Sequence, residues 1–350
     1  MPIVHRPMSY QTPESRRFAV AEVLRALMKA RRVLLTTHVN ADGDGVGSEV
    51  ALAAWLRGQG KESWIVNPTP LPESLGFLLP DRSWSIDAGS ARAKEIAGGA
   101  ELAVVMDTGE VSRIGRVADL IRGLPTAVID HHPPGLDAIP GLSLRDPEAA
   151  ATGELVFDLL KKAGGLWPPE TALGLYVAIL SDTGCFRFSN SSPGAHRIAA
   201  ELLEMGVDPE ETHRKVYGSM PLRKLRLLQE ALGELDVDEE GRVAWMTVPS
   251  QVFADLGANP DDIEGLVDYP RGINGVEVGI LFRETARGAT KISFRSNGDV
   301  DVNALARIFG GGGHVKASGA LVARPMAQVR EEVIRETRRA VREIVENDGA

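Results

Sequence analysis

The sequence predicts an α/β protein in two parts: a mainly parallel, doubly wound sheet domain, then a smaller mixed α/β domain. Three observations predict it. Over residues 1–205, short continuously apolar runs alternate with longer helical patterns, which is the signature of βαβ units whose sheet is covered on both faces. Residues 209–232 are strongly charged, helical in pattern and free of strand signals. Beyond them, strand-like runs crowd around few helices. A chain of 350 residues also exceeds the roughly 250–300 residues that one core usually supports.

The elements follow in order. Residues 17–30 place Val20, Val23, Leu24 and Leu27 on one helical face. Residues 33–37 read as a buried strand, and residues 46–56 as a helix closed by Gly58 and Gly60. Further strands are predicted at 64–66, 102–106 and 127–129, and helices at 171–180 and 194–205. Residues 209–232 read as a helical connector that lets two halves open and close. Strands are then predicted at 243–248, 276–282 and 291–294, with a helix at 302–309. Four glycines at 310–313 and an amphipathic Arg/Glu-rich helix at 326–347 complete the chain. The domain boundaries expected are 1–205, a connector at 206–239, and 240–350.

Composition narrows the class. With 43% hydrophobic and 25% charged residues, the chain is not a disordered tract. A single cysteine, Cys185, excludes an intrachain disulfide and a Cys-rich zinc site. It reads as a packing residue and fits a reducing compartment. The first residues lack an apolar segment of the secretory kind, and no run reaches the ~18 apolar residues of a membrane span. A cytoplasmic protein without membrane contact is expected. The net charge is −9, so binding an anion requires local positive charge or metal ions. The five tryptophans are scattered, with no stacking stripe for a long single strand.

The chemistry lies after the strands. His38-Val39-Asn40-Ala41-Asp42-Gly43-Asp44 follows the first strand, Asp107 follows the strand at 102–106, and Asp130-His131-His132 follows the strand at 127–129. Asp182 closes a helix. In open α/β sheets ligands bind beyond the carboxyl ends of the strands, so three of these clusters project into one crevice. Each alone has a bland explanation as a turn or helix cap. Together they gather imidazoles and carboxylates without a thiolate, which suits Mn²⁺ or Mg²⁺ and, less distinctively, zinc. Several carboxylates cannot share a small crevice in ionised form without cations. Two metals bridged by one carboxylate satisfy that demand and activate water.

The second part carries Gly310-Gly311-Gly312-Gly313-His314-Val315-Lys316-Ala317-Ser318-Gly319. Consecutive glycines let a backbone approach an anion and offer it N–H groups. Residues 283–316 gather Arg283, Arg287, Lys291, Arg295, Arg307 and Lys316 against Glu284, Asp299 and Asp301. A local cationic patch in an acidic chain reads as an anion pocket, and arginine suits a two-pronged grip on phosphate. Arg113 and Asn190 are further candidates for substrate contact. The Arg/Glu-rich last helix reads as a solvated face.

These motifs resemble those of the DHH phosphoesterases, and the glycine-rich stretch resembles the hallmark of the DHH-associated C-terminal domain. The likeness spans residues 15–345. Within the family it is similar to the compact bacterial group acting on nanoRNA and 3′-phosphoadenosine 5′-phosphate. Ala41 stands where many relatives have proline.

The resemblance implies that His38 and Asp42 hold one metal, that Asp44, His131 and Asp182 hold a second, and that Asp107 bridges them. It implies that His132 faces the substrate as phosphate contact or proton donor, that Asp130 orients the histidines, and that Arg295, Gly312, Gly313, His314 and Ser318 contact the nucleotide. It further implies two divalent ions, Mn²⁺ ahead of Mg²⁺, and a possible homodimer. The substrates implied are short RNA oligomers and 3′-phosphoadenosine 5′-phosphate. Linear or cyclic dinucleotides (pGpG, pApA, c-di-AMP) form the alternative substrate class. A pyrophosphatase of the family would need a different C-terminal half, and a silent nucleotide sensor would need lost ligands.

Overall fold

The structure is a computed structural model that describes residues 9–218, 220–285 and 287–348. Residues 1–8, part of the stretch expected to lack a secretory segment, lie outside the described residues. The chain divides into two compact units, Met1–Ser219 and Met220–Ala350.

The first unit holds β1 (Arg32–Thr36), β2 (Glu62–Asn67), β3 (Ser85–Asp87), β4 (Leu102–Met106), β5 (Thr126–Asp130) and β6 (Leu142–Arg145). They form one parallel sheet in the order β3-β2-β1-β4-β5-β6. Its helices are α1 (Glu14–Lys29), α2 (Gly43–Gly58), α3 (Ala91–Gly99), α4 (Val117–Leu120), α5 (Thr152–Ala163), α6 (Pro169–Asp182), α7 (Pro193–Glu204) and α8 (Pro209–Val216). Alternate residues of a strand point to opposite faces. Val33 and Leu35 accordingly enter a core with Trp55 of α2 and Phe157 of α5, whereas Leu34 enters another with Ile96 of α3 and Val117 of α4. The sheet is doubly wound, as predicted. Chain order reverses between β1 and β4, which opens a crevice at their carboxyl ends.

Two features of α2 set the site. Asp42 caps it, accepting the N–H groups of Asp44 and Gly45 at 3.1 Å each. The helix then lies against α6 with backbones in near contact. A Cβ on Gly47 would stand 2.4 Å from Gly174 O, and one on Gly174 would stand 2.5 Å from Gly47 O. Any larger residue at either position forces the helices apart.

The second unit is mixed α/β. Its strands are β7 (Asp236–Val237), β8 (Val243–Val248), β9 (Val278–Glu284), β10 (Thr290–Ser296), β11 (Gly312–Gly313) and β12 (Ala317–Val322), in the order β11-β12-β10-β9-β8-β7. Among the described residues only β8 and β9 pair in parallel here; the other neighbours are antiparallel. The helices are α9 (Leu222–Gly233), α10 (Ser250–Leu256), α11 (Asp268–Arg271), α12 (Val302–Ile308) and α13 (Met326–Asp348). Ile280, Phe282, Ile292 and Phe294 pack on one face with Leu305 of α12 and Val333 of α13. Met246 and Leu281 pack on the other with Leu227 and Ala231 of α9. Among the described residues no helix is long and apolar enough to cross a membrane.

The structure differs from the sequence expectation in two places. The stretch 209–232 is two helices, α8 and α9, because Pro221 caps α9 and disfavours helical backbone before it. Val216 packs on the core of the first unit, and Leu227 and Ala231 are buried in the core of the second. Second, α3, α4, α5, α10, α11, β3, β6, β7, β11 and β12 have no counterpart in the reading above. The strands among them are short or glycine-rich and lie at or next to a sheet edge. Pairing, not side-chain pattern, makes them strands.

Candidate metal centre

Thr36 ends β1, and the next residues turn into the crevice. Asn67 at the end of β2 fixes that turn: its Oδ1 accepts Thr37 N at 3.2 Å, and its Nδ2 donates to buried Glu49 at 2.8 Å. Val39 N donates to Arg113 O at 2.8 Å, so the backbone of Arg113 braces the loop. Asp107 follows β4 with φ of 60°, a left-handed conformation that aspartate tolerates better than most residues.

The structure brings His38, Asp42, Asp44, Asp107, His131, His132 and Asp182 together. His38 Nε2 lies 3.2 Å from Asp107 Oδ2 and 3.9 Å from Asp42 Oδ2. His131 Nε2 lies 3.4 Å from Asp182 Oδ2, 3.7 Å from Asp44 Oδ2 and 3.6 Å from Asp107 Oδ1. Among the described residues three trios offer ligand atoms within 4.8 Å of one another: His38–Asp42–Asp107, Asp44–His131–Asp182 and Asp107–His131–His132. Asp107 thus presents one oxygen to His38 and the other to His131.

Hydrogen bonds orient the imidazoles. His38 Nδ1 pairs with Val39 O at 2.9 Å, and His131 Nδ1 with Ala149 O at 3.2 Å. A carbonyl only accepts, so both Nδ1 atoms donate and both Nε2 atoms are turned toward the carboxylates. With Nδ1 held in this way, Nε2 is the nitrogen each ring would offer a metal. His132 differs. Its Nδ1 donates to Asp130 Oδ1 at 2.8 Å, while standing 3.6 Å from Asp107 Oδ1. Arg145 pairs with the other Asp130 oxygen at 3.2 Å. The two histidine rings meet edge to face, their centroids 4.7 Å apart.

The charges are strained without a cation. Burial pushes the Asp107 carboxyl well above the usual carboxylate range, and the charges of Asp44, Asp42, Asp182 and Asp130 add to it. Burial raises Asp44 too, against the pull of His131. Burial and the neighbouring Asp44 push Asp182 up to about 7. For His131, burial works downward, but Asp44 and Asp182 outweigh it and raise the imidazole. Burial likewise works upward on Asp130, yet the His132 hydrogen bonds and Arg145 hold it low. Oxygen and imidazole donors around mutually repelling carboxylates fit divalent cations.

Sequence reasoning missed the start of α5. Thr152 N and Gly153 N donate to Asp44 at 2.6 and 2.9 Å, and the Thr152 hydroxyl donates to Asp107 Oδ1 at 3.1 Å. The small-residue run Ala149-Ala150-Ala151 before Thr152 was the available signal. Asn190, a candidate substrate contact, braces the site instead, donating to Ala150 O at 2.9 Å and Asp182 O at 3.0 Å.

The remaining candidates lie in the second unit. Arg295 stands on the sheet face opposite the Phe294 core, with Nη1 donating to Phe294 O. Gly312 and Gly313 pair with Gly319 and Ser318 as β11. His314 opens a turn closed by His314 N to Ala317 O at 2.8 Å and is exposed. Ser318 is buried, and its hydroxyl donates to His314 O at 2.7 Å, tying that turn.

Comparison with known proteins agrees with this geometry. Residues 32–179 match the family model of the DHH family, N-terminal domain, and residues 242–347 match that of the DHHA1 domain. A Thermus thermophilus protein named bifunctional oligoribonuclease and PAP phosphatase NrnA is 34% identical over 90% of this chain and 94% of its own length. The Bacillus subtilis protein of the same name is 29% identical over 86% of this chain and 92% of its own. An exopolyphosphatase-related protein from Bacteroides fragilis has a similar fold, with a TM-score of 0.84, 27% identity, and coverage of 93% of this chain and 96% of that one. Both family models match in the order the motifs run, and the Thermus relative is spanned nearly end to end: this chain belongs to the DHH phosphoesterase family.

Proposed function

We propose that the chain is a divalent-metal-dependent phosphoesterase that hydrolyses short RNA oligonucleotides to mononucleotides and 3′-phosphoadenosine 5′-phosphate to AMP. The observation that carries this reading is Asp107, with one oxygen 3.2 Å from His38 Nε2 and the other 3.6 Å from His131 Nε2. The names of the Thermus and Bacillus relatives support the substrate class. His38 and Asp42 would hold one ion, Asp44, His131 and Asp182 the other, and Asp107 both. The donor set favours Mn²⁺, with Mg²⁺ as the alternative. Such ions supply an activated water and neutralise charge on phosphate oxygens.

The side chains divide the rest. Asp130 accepts from His132 Nδ1 and fixes the ring, which supports a role for His132 as phosphate contact or as proton donor to the leaving oxygen. Asp44 and Asp107 are held by Thr152 and Gly153, whose donors pre-set carboxylate direction. Residues 1–205 are assigned catalysis and 240–350 nucleotide capture, through Arg295, Gly312, Gly313, His314 and Ser318. We further place the enzyme in the cytoplasm, as a possible homodimer.

Timed product analysis with Mn²⁺ tests the reading on 5′-labelled RNAs from dinucleotides to long strands, pGpG, pApA, c-di-AMP and 3′-phosphoadenosine 5′-phosphate. Fast release of mononucleotides from di- to pentanucleotides and of AMP from 3′-phosphoadenosine 5′-phosphate is expected. A marked preference for c-di-AMP, or no turnover of any member, contradicts it.

A further inference from the structure

We propose that Arg283 and Lys291 form a phosphate subsite that engages the backbone of RNA substrates longer than a dinucleotide. This rests on reading the chain as a short-RNA hydrolase. In the β9–β10 register Lys291 lies opposite Arg283, Ser293 opposite Leu281, and Arg295 opposite Gly279. Residues directly opposed in an antiparallel pair share a face, and this one is turned away from the Ile280–Phe294 core. Arg283, Lys291 and Arg295 therefore form a row.

At Arg283 and Lys291 the row lacks compensating acid, whereas the charges of Asp268 and Glu264 reach Arg295. None of the three has a carboxylate within ion-pair distance among the described residues. Arg283 Nε is buried without a hydrogen-bond partner. Burial holds both Arg283 and Lys291 below their ordinary pKa values, and Arg283 lowers Lys291 further. Like charges directly opposed across a strand pair are destabilising, and half-buried unpaired cations add to the cost. An unreturned local cost of this kind marks a functional site, and an anion is the partner that removes it.

The surroundings favour an extended anion. The guanidinium of Arg283 stacks on Phe253, 5.4 Å from the ring centroid, which fixes its plane. The opposite side is open: Leu321, paired with Lys291 on β12, is 64% exposed, and Gly319, paired with Ser293, has no side chain. Arg295 and Lys291 are four residues apart, about 13 Å along the strand. A single-stranded backbone spans that distance, passing Ser293 and Gly319.

The test is equilibrium binding of 5′-labelled di- and pentaribonucleotides to the full chain in EDTA, over a salt series, for wild type, R283Q/K291Q and the charge-keeping R283K/K291R. Wild type should bind the pentamer at least about tenfold tighter than the dimer, the advantage of charge-assisted contacts. R283Q/K291Q should lose that advantage with dimer affinity unchanged. Its salt slope should fall by about 1.4, at about 0.7 per phosphate contact. R283K/K291R should keep most of the advantage. Equal wild-type affinity for both lengths, no pentamer binding, or equal loss on both lengths in R283Q/K291Q overturns the subsite. Length-dependent binding without RNA hydrolysis under Mn²⁺ would instead refute the functional reading and leave the subsite standing.

Discussion

The Thr152 hydroxyl donates to Asp107 Oδ1 at 3.1 Å, while the N–H of the same residue donates to Asp44 at 2.6 Å. One residue at the start of α5 thus aims two carboxylates of the crevice. Thr152→Val keeps the shape and the N–H donor but removes the hydroxyl. Loss of such a supporting hydrogen bond should weaken Mn²⁺ affinity or activity by about 10–100-fold with the fold intact. Mn²⁺ titration and a thermal melt check it; wild-type affinity and rate in the variant would show that Asp107 needs no such support.

The adjacent histidines should part company on mutation. His131 Nε2 faces Asp44 and Asp182, whereas the Nδ1 proton of His132 goes to Asp130. His131→Ala should release metal. His132→Ala should keep metal and lose about 10²–10⁴-fold in rate, the usual worth of a general acid. Elemental analysis beside single-turnover rates decides. Equal metal loss in both variants would remove the distinction.

Much of this site was legible in the sequence, for a topological reason. The clusters at 38–44, 107 and 130–132 each follow an apolar run, and parallel strands deliver their carboxyl ends to one edge. The reversal between β1 and β4 lies at that edge. Support from Asn67 and Asn190 was not legible, because it comes from single polar residues far apart in sequence, and that from Thr152 shows only as the small-residue run before it. The break at Pro221 was readable in principle, since proline disfavours helix before it. The strands β11 and β12 were hidden by glycines whose strand character comes from pairing with a neighbour.

The metal-free protein should lose stability as pH rises. Burial raises Asp182 to about 7 and, despite the Asn67 hydrogen bond, Glu49 to about 8. Asp44 and Asp107 shift the same way. Unfolded carboxyls release their protons near pH 4. Between that value and the folded values, the folded chain holds more protons than the unfolded one, so stability falls across this window. Urea midpoints in EDTA should therefore drop from about pH 5 to about pH 8, and Glu49→Gln should flatten the upper part of the fall. Midpoints that rise over this range would contradict the burial argument. Mn²⁺ should oppose the drop, since a ligand of the folded state stabilises it.

The central claim is that Asp107 serves two metal positions at once. The most direct measurement is the number of Mn²⁺ ions retained per chain after desalting, with hydrolysis of a dinucleotide in parallel, for wild type and Asp107→Ala. The account predicts two ions in the wild type. In the folded variant it predicts one or none, with turnover down by at least about 10³-fold, roughly 4 kcal/mol of barrier. Two ions retained by Asp107→Ala, or activity above about a tenth of wild type, a loss of under about 1.4 kcal/mol, would contradict it.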